Sequence, residues 1–230
     1  FVGAAEFINN KKRYCLWLVD ASPAQMRKMP LVMKRIEGCK QDRLNAPDKG
    51  RQQLADTPHL FREQLNPEHY LIIPRVSSER RAYVPIGYMD KQAIASNLVL
   101  IIPSASLYHF GVLTSWVHMA WMRAVCGRLE TRYRYSKDVV YNNFPWPEAD
   151  ASAVAAISET AQAILDARAA YPDSSLADLY DDTLMPPALR RAHRNTDRAV
   201  LRAYGFPTND SFTESDCVAR LFQLYADWGK

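Results

Sequence analysis

The sequence predicts an α+β protein: a mixed α/β domain with a small sheet and a long buried helix, followed by an all-helical domain. Three observations carry that prediction. Short apolar runs rich in β-branched and aromatic residues, each cut by a proline, lie between residues 70 and 103. The stretch LYHFGVLTSWVHMAWMRAVCG (107–127) is apolar almost all round, as a centrally buried helix is. Beyond residue 150 the apolar residues recur at helical spacing between helix caps.

Taken in order, KRYCLWLVD (12–20) reads as a buried strand. SPAQMRKM (22–29) places Ser at an N-cap and Pro at the first helical position. LVMKRIEGCKQDR (31–43) has helical spacing at Leu31, Ile36 and Cys39, with basic residues opposite. NAPDKGRQQLADTP (45–58) opens as a loop and turns briefly helical. YLIIPRV, RRAYVPIGYM and NLVLIIP (97–103) are three strands, which Pro74, Pro85 and Pro103 must end, bend or confine to an edge. After the 107–127 helix, ETRYRYSKDVVYNNFPWPEAD (130–150) reads as a linker anchored by Pro and Trp. Three helices close the chain. The first, about 151–170, aligns Val154, Ile157, Ala161, Ile164 and Leu165. The second, about 186–204, opens on two prolines and ends at Gly205. The third, about 213–228, follows Ser211-x-x-Glu214, a capping-box spacing, and carries a stripe of Val218, Leu221, Phe222 and Tyr225. The domain boundary falls at 147/148.

With 48% apolar residues the chain has ample material for a core. It opens FVGAAEFINN without an initiator Met, as a piece of a longer protein would, and no signal peptide is expected. The 107–127 segment holds His109, His118 and Arg123, which argues for a buried helix and against a membrane span. Cys15, Cys39, Cys126 and Cys217 form no metal or redox spacing and read as reduced, mostly buried thiols of a cytoplasmic protein. The five histidines read as core or hydrogen-bonded residues and not as metal ligands. The net charge of +4 hides an asymmetry. Residues 1–140 hold 21 Lys+Arg against 12 Asp+Glu; residues 141–230 hold 8 against 13. The first part suits a polyanion and the second does not.

The familiar chemical motifs are missing. The glycines never fall as GxG, and no phosphate loop, nucleophile elbow or metal-nuclease pattern occurs. Asn142-Asn143-Phe144-Pro145-Trp146 and Met185-Pro186-Pro187-Ala188 only echo the (D/N)-P-P-(Y/F) motif of amine-methylating enzymes. No catalytic residue, metal site or cofactor is therefore assigned to these 230 residues.

One stretch stands out: PRVSSERRAY (74–83) packs Glu79, Arg80 and Arg81 between two strand-like runs. If extended, it sets Arg75, Ser77, Glu79 and Arg81 on one face and Val76, Ser78, Arg80 and Ala82 on the other. Two readings stand. One is a solvated hairpin with a Glu79–Arg81 ion pair of about 0–1 kcal/mol. The other is base-pair readout, since Arg donates to guanine O6 and N7 while Glu accepts from cytosine N4. The tyrosines of RYRYSK (132–137) either pack inside or offer stacking surfaces.

A resemblance favours readout. RYCLWLVDASPAQMRKMPLV, LADTPHLF, YLIIPRVSSERRAYVPIGYM, SLYHFGVLTSWVHMAWMRAVCGRLETRYRYSKDVVYNNFPWPE and SLADLYDDTLMPPALRRAH resemble, in order, the C-terminal part of MmeI-like DNA methyltransferases of restriction–modification systems. The resemblance implies a target recognition domain followed by a helical C-terminal domain, with double-stranded DNA as partner. It also implies an upstream adenine-N6 methyltransferase domain of the same polypeptide, which uses S-adenosylmethionine, and in some members an N-terminal nuclease. The family's acidic and basic specificity residues, two apart after paired serines, fall on Glu79 and Arg81. Arg75, Ser77, Ser78 and Arg80 become possible DNA contacts, as do Arg43, Lys49, Arg51 and Gln52 in an upstream loop–helix region. Lys11, Lys12, Arg13, Arg132, Arg134 and Lys137 are expected to meet phosphates or solvent, positioning without reading. The rival expectation is a non-catalytic protein-interaction module whose basic face meets an acidic protein.

Overall fold

The computed structural model describes residues 1–228. It divides into two compact units, one of Tyr14–Asn66 and one of Phe1–Arg13 with the residues from Pro67 onward. The boundary expected at 147/148 is not where compactness divides: the closing helices pack within the same unit as the sheets.

The smaller unit is helical, with α2 (Pro23–Arg27), α3 (Pro30–Leu44), α4 (Lys49–Gln53) and a 3-10 turn at Leu54–Asp56. Ser22 is the N-cap that the sequence suggested: its hydroxyl accepts from Gln25 N at 3.2 Å, and the Gln25 side chain in turn accepts from Ser22 N at 2.8 Å. The strand expected at 12–20 does not form. Residues 11–18 carry no regular structure and Tyr14 is 86% exposed. An apolar run becomes a strand only beside a partner, and this unit offers none among the described residues; Trp17 instead tilts against Phe61 at 5.7 Å. Helix α3 has no fully buried residue, and Leu31, expected on its inner face, is exposed.

The larger unit begins with α1 (Ala4–Ile8) and holds two antiparallel sheets. In the first, β1 (His69–Pro74) lies between β3 (Gly87–Asp90) and β4 (Val99–Pro103). Leu71 pairs with both Tyr88 and Ile102. Alternate residues of β1 feed two cores: Leu71 and Ile73 join the main one, Tyr70 and Ile72 a smaller one with Val2 and Val99. That explains an unbroken apolar run in a central strand. The second sheet, β2 (Val76–Ser77), β6 (Arg132–Arg134) and β5 (Gly127–Leu129), was not foreseen. The 130–150 stretch, expected to be a linker, gives up its first residues to this hairpin. Lys137–Tyr141 then forms a single π-helical turn capped by Ser136, and only the end of the stretch matches the expectation: Phe144 is buried, and Trp146 packs edge-on to it at 5.7 Å.

The helix expected over 107–127 is two helices, α5 (Leu107–Leu113) and α6 (Trp116–Val125). Ser115 makes the break. Its hydroxyl donates to Val112 O at 2.7 Å, and accepts from His118 N at 3.3 Å to cap α6. Both are buried nearly all round, as the sequence implied.

Four helices follow: α7 (Ala151–Ala169), α8 (Leu176–Leu179), α9 (Pro187–Ala203) and α10 (Glu214–Trp228). Helix α7 buries Ile157, Ala161 and Ile164. Helix α9 ends at Gly205, whose φ of 66° lies in the left-handed region that glycine tolerates best. The cap of α10 differs from expectation. Thr213 and Asp216 bond each other's backbone N–H groups, while Ser211 donates to Asn209. Glu214 is thereby free for a partner elsewhere. Of the cysteines only Cys217 is buried; Cys15, Cys39 and Cys126 are half-exposed, against the expectation of mostly buried thiols. Among the described residues no helix is long and apolar enough to cross a membrane.

Candidate nucleic-acid interface

The Ser-Ser-Glu-Arg-Arg stretch leaves the small sheet through a tight turn. Backbone pairing stops at Ser77, which faces Tyr133, and Arg81 N then donates to Ser78 O at 3.3 Å. Residues 75–81 are therefore not one extended segment, and the predicted alternation of faces ends at Ser77. Ser78 caps the turn by accepting from Arg80 N at 3.2 Å. A serine hydroxyl closes the turn here, where glycine or asparagine would be more usual.

The turn puts its charges outward. Glu79 and Arg80 are exposed and Arg81 is half-buried. Among the described residues Glu79 and Arg81 form no ion pair with each other, so the solvated-pair reading fails. Their surroundings differ. The Glu79 carboxyl titrates below its ordinary value, held there first by its own backbone N–H, then by the Thr131 hydroxyl and by Arg80 and Arg128. Arg81 has its pKa lowered by burial, with Asp181 opposing the shift. The carboxylate thus leans toward the β5–β6 hairpin and the guanidinium toward the α8–α9 connection.

That hairpin extends the surface. Arg132 and Arg134 are exposed on its outer face, while Tyr133 between them is buried. Arg128 lies over the Tyr133 ring at 4.1 Å. Tyr133 and Tyr135 are both buried, so the RYRYSK tyrosines pack and offer no stacking platform. Arg132 is tied to Glu130 at 2.7 Å.

The other candidates fare unequally. Arg75 is exposed, and its backbone ties the sheets together by donating to Leu98 O and accepting from Tyr135 N. Ser77 is 3% exposed with its hydroxyl unpaired in the interior, which removes it as a surface contact. In the smaller unit Arg43 donates to Leu54 O, Thr57 O and Leu60 O at 2.6–2.9 Å, bracing the 54–60 loop. Arg51 pairs with Asp42, and Gln52 donates to Ala46 O at 2.8 Å. Lys49, at the start of α4, is exposed.

Sequence reasoning missed the polar network that grips the chain just after the turn. Arg123 donates to Ala82 O at 3.3 Å and forms a two-pronged pair with Glu214 at 2.7 and 2.8 Å. The Tyr83 hydroxyl donates to Asp197 at 2.6 Å, and Trp116 N donates to the other carboxylate oxygen at 2.7 Å. The Tyr83 ring stacks on His193 at 4.1 Å. Arg168 donates to Ile86 O at 2.7 Å and to the Tyr180 hydroxyl, which leaves that hydroxyl to donate to His193 Nε2 at 2.7 Å. Burial pushes Asp197 up to about 6, against the pull of the Tyr83 and Trp116 bonds, and pushes His193 down. The partners lie far apart along the chain, so no local spacing announces them.

Comparison with known proteins gives the same assignment throughout. The model of the MmeI target recognition domain matches residues 1–148, and that of the MmeI C-terminal domain matches residues 149–230. A DNA methyltransferase A from Bacillus subtilis (strain 168) is 42% identical over 205 residues, covering 89% of this chain and 23% of its own length. The solved structure of the type IIL restriction–modification enzyme MmeI in complex with DNA superposes with a TM-score of 0.95 at 46% identity, over 99% of this chain and 30% of that one. The chain thus spans about a quarter to a third of these relatives. On both family models and a shared fold, the chain belongs to the MmeI family, as its target recognition and C-terminal domains.

Proposed function

We propose that this chain provides sequence-specific recognition of double-stranded DNA for a cytoplasmic adenine-N6 DNA methyltransferase of the restriction–modification type. Residues 1–147 act as the recognition domain and residues 148–230 as its helical support. The observation that carries the reading is the 78–81 turn. It holds the Glu79 carboxylate and the Arg80 guanidinium outward with Arg81 half-buried at its end, the three forming no ion pair with one another among the described residues, beside the exposed arginines of the β5–β6 hairpin. Glu79 accepts from a cytosine N4 amino group and Arg81 donates to guanine O6 and N7, each interaction discriminating by about 1–3 kcal/mol. Arg80, Arg132 and Arg134 meet phosphates and hold register.

The residues present do not fit S-adenosylmethionine. Both sheets are antiparallel and no glycine pair forms a GxG turn, so no strand–loop–helix cradle exists for a nucleoside among the described residues. Methyl transfer, and the flipping of adenine out of the duplex that it requires, belong to the upstream domain of the same polypeptide.

In the full-length protein, Glu79→Lys combined with Arg81→Asp is expected to change the methylated sequence at one base pair. Sequencing of methylated sites checks it, and unchanged methylation of the original site refutes the assignment of these two residues.

A further inference from the structure

The polar network behind the turn has a geometry that packing alone does not require. Four side chains hold residues 82–86, immediately after Arg81. Arg123 holds the Ala82 carbonyl, Asp197 the Tyr83 hydroxyl, Met119 Sδ the Val84 N–H at 3.3 Å, and Arg168 the Ile86 carbonyl. Two of these holders, Asp197 on α9 and Arg168 on α7, come from the helical segment, and a third, Arg123, is oriented by Glu214 of α10. Asp197 also bonds the first N–H of α6, so one carboxylate fixes the Tyr83 side chain and the start of a buried helix together. The turn itself has one backbone bond, from Arg81 to Ser78. A turn so lightly tied takes its position from what holds its ends. One end is the sheet at Ser77; the other is this network.

We infer that Tyr83 and Asp197 are positioning residues for sequence readout, with α9 setting where the Glu79–Arg81 turn meets the bases. The inference rests on the proposal that this turn reads a base pair. It assigns the helical segment a part in specificity through the residues it holds in place. Side chains that read bases must be held within a fraction of an ångström to discriminate, so loosening their support weakens discrimination before it weakens general affinity.

The test uses the full-length protein and selection from a randomised duplex DNA library, with bound sequences read out. Charge reversal at Glu79 and Arg81 first identifies the position that the turn reads. Tyr83→Phe, which keeps the ring stacked on His193 and removes one hydroxyl, is expected to reduce discrimination at that position about tenfold. Preferences elsewhere and binding to unrelated duplex should stay as in the wild type. Asp197→Asn, a second variant of nearly the same shape, should do the same. Hydrogen exchange at the 79–82 amides should quicken in both, with melting temperatures recorded to exclude general unfolding. If both variants retain full discrimination at the turn's position while the charge reversals change it, the positioning role is wrong and the readout stands. If the charge reversals change nothing, the readout itself fails and the inference falls with it.

Discussion

At the scale of single residues, the interior couples folding to pH in opposing directions. His118 is fully buried with Nε2 on the Tyr135 hydroxyl at 2.8 Å, and burial pushes its pKa down to about 3. A group depressed in the fold stabilises fully above its unfolded value, near 6.5, and loses that contribution as pH falls toward 3. His193 is shifted the same way by burial and by Arg168. Asp197 runs opposite. Burial raises it to about 6, so the fold favours its protonated form, and its contribution is full below about 4 and lost as pH rises through 6. Between pH 4 and 7 the histidines therefore gain stability with rising pH while Asp197 loses it. Replacing Asp197 by Asn deletes the falling component alone. The expected outcome is a steeper rise in urea midpoint between pH 4 and 7 for the variant than for the wild type; parallel curves would show that Asp197 titrates normally in the fold.

At the scale of elements, helices α5 and α7 meet through Gly111. A Cβ added there would lie 2.6 Å from Ile157 Cγ2 and 3.1 Å from Ala161 Cβ. Gly111→Ala would gain up to about 1 kcal/mol of helix propensity, but overpacking a tight interface costs about 1–3 kcal/mol. Ile157 is fully buried, with little room to rotate away, so the expected result is a net loss, read as a lower melting temperature. Packing of this kind explains what was legible in the sequence. Helices α7, α9 and α10 announced themselves because apolar residues recur over several turns between start and stop signals, whereas α3 showed helical spacing in the sequence but buries none of its residues fully. Strand β1 was legible because five of its six residues are buried. The three-residue strands β5 and β6 were not, since two side chains on one face make no period. KRYCLWLVD failed for the converse reason: it has strand composition and no strand to pair with. Within 107–127 the Thr114-Ser115 pair carried the information that one helix would become two, but a capping serine inside an apolar run is masked by its neighbours. The 74–83 stretch was singled out but taken as extended, and its turn at 78–81 was not seen, because Ser78 can close a turn as well as continue a strand.

At the scale of the whole molecule, net charge is a poor guide to where a polyanion meets the protein. The last ninety residues are acidic in sum, yet five of their eight basic residues lie on α9, and Arg191, Arg194, Arg198 and Arg202 are exposed on it at three- and four-residue spacing. The basic first part is likewise uneven, since Arg43 and Arg51 are tied to internal partners while Arg80 and Arg134 remain outward. What composition suggested was a polyanion; what the proposal adds is a division between residues that read and residues that hold. That division is measurable with salt. Deleting one side-chain charge that meets a phosphate should reduce the slope of log affinity against log salt by about 0.9. Arg132→Gln with Arg134→Gln, which removes two outward charges from β6 while Tyr133 stays packed, is expected to reduce the slope of the full-length protein by roughly 2 and to leave the preferred DNA sequence unchanged. The Glu79 and Arg81 reversal is expected to alter the preferred sequence. An unaltered slope in the first variant would place β6 away from the duplex. A salt-independent interaction of the wild type with duplex DNA would show that this face does not meet phosphates.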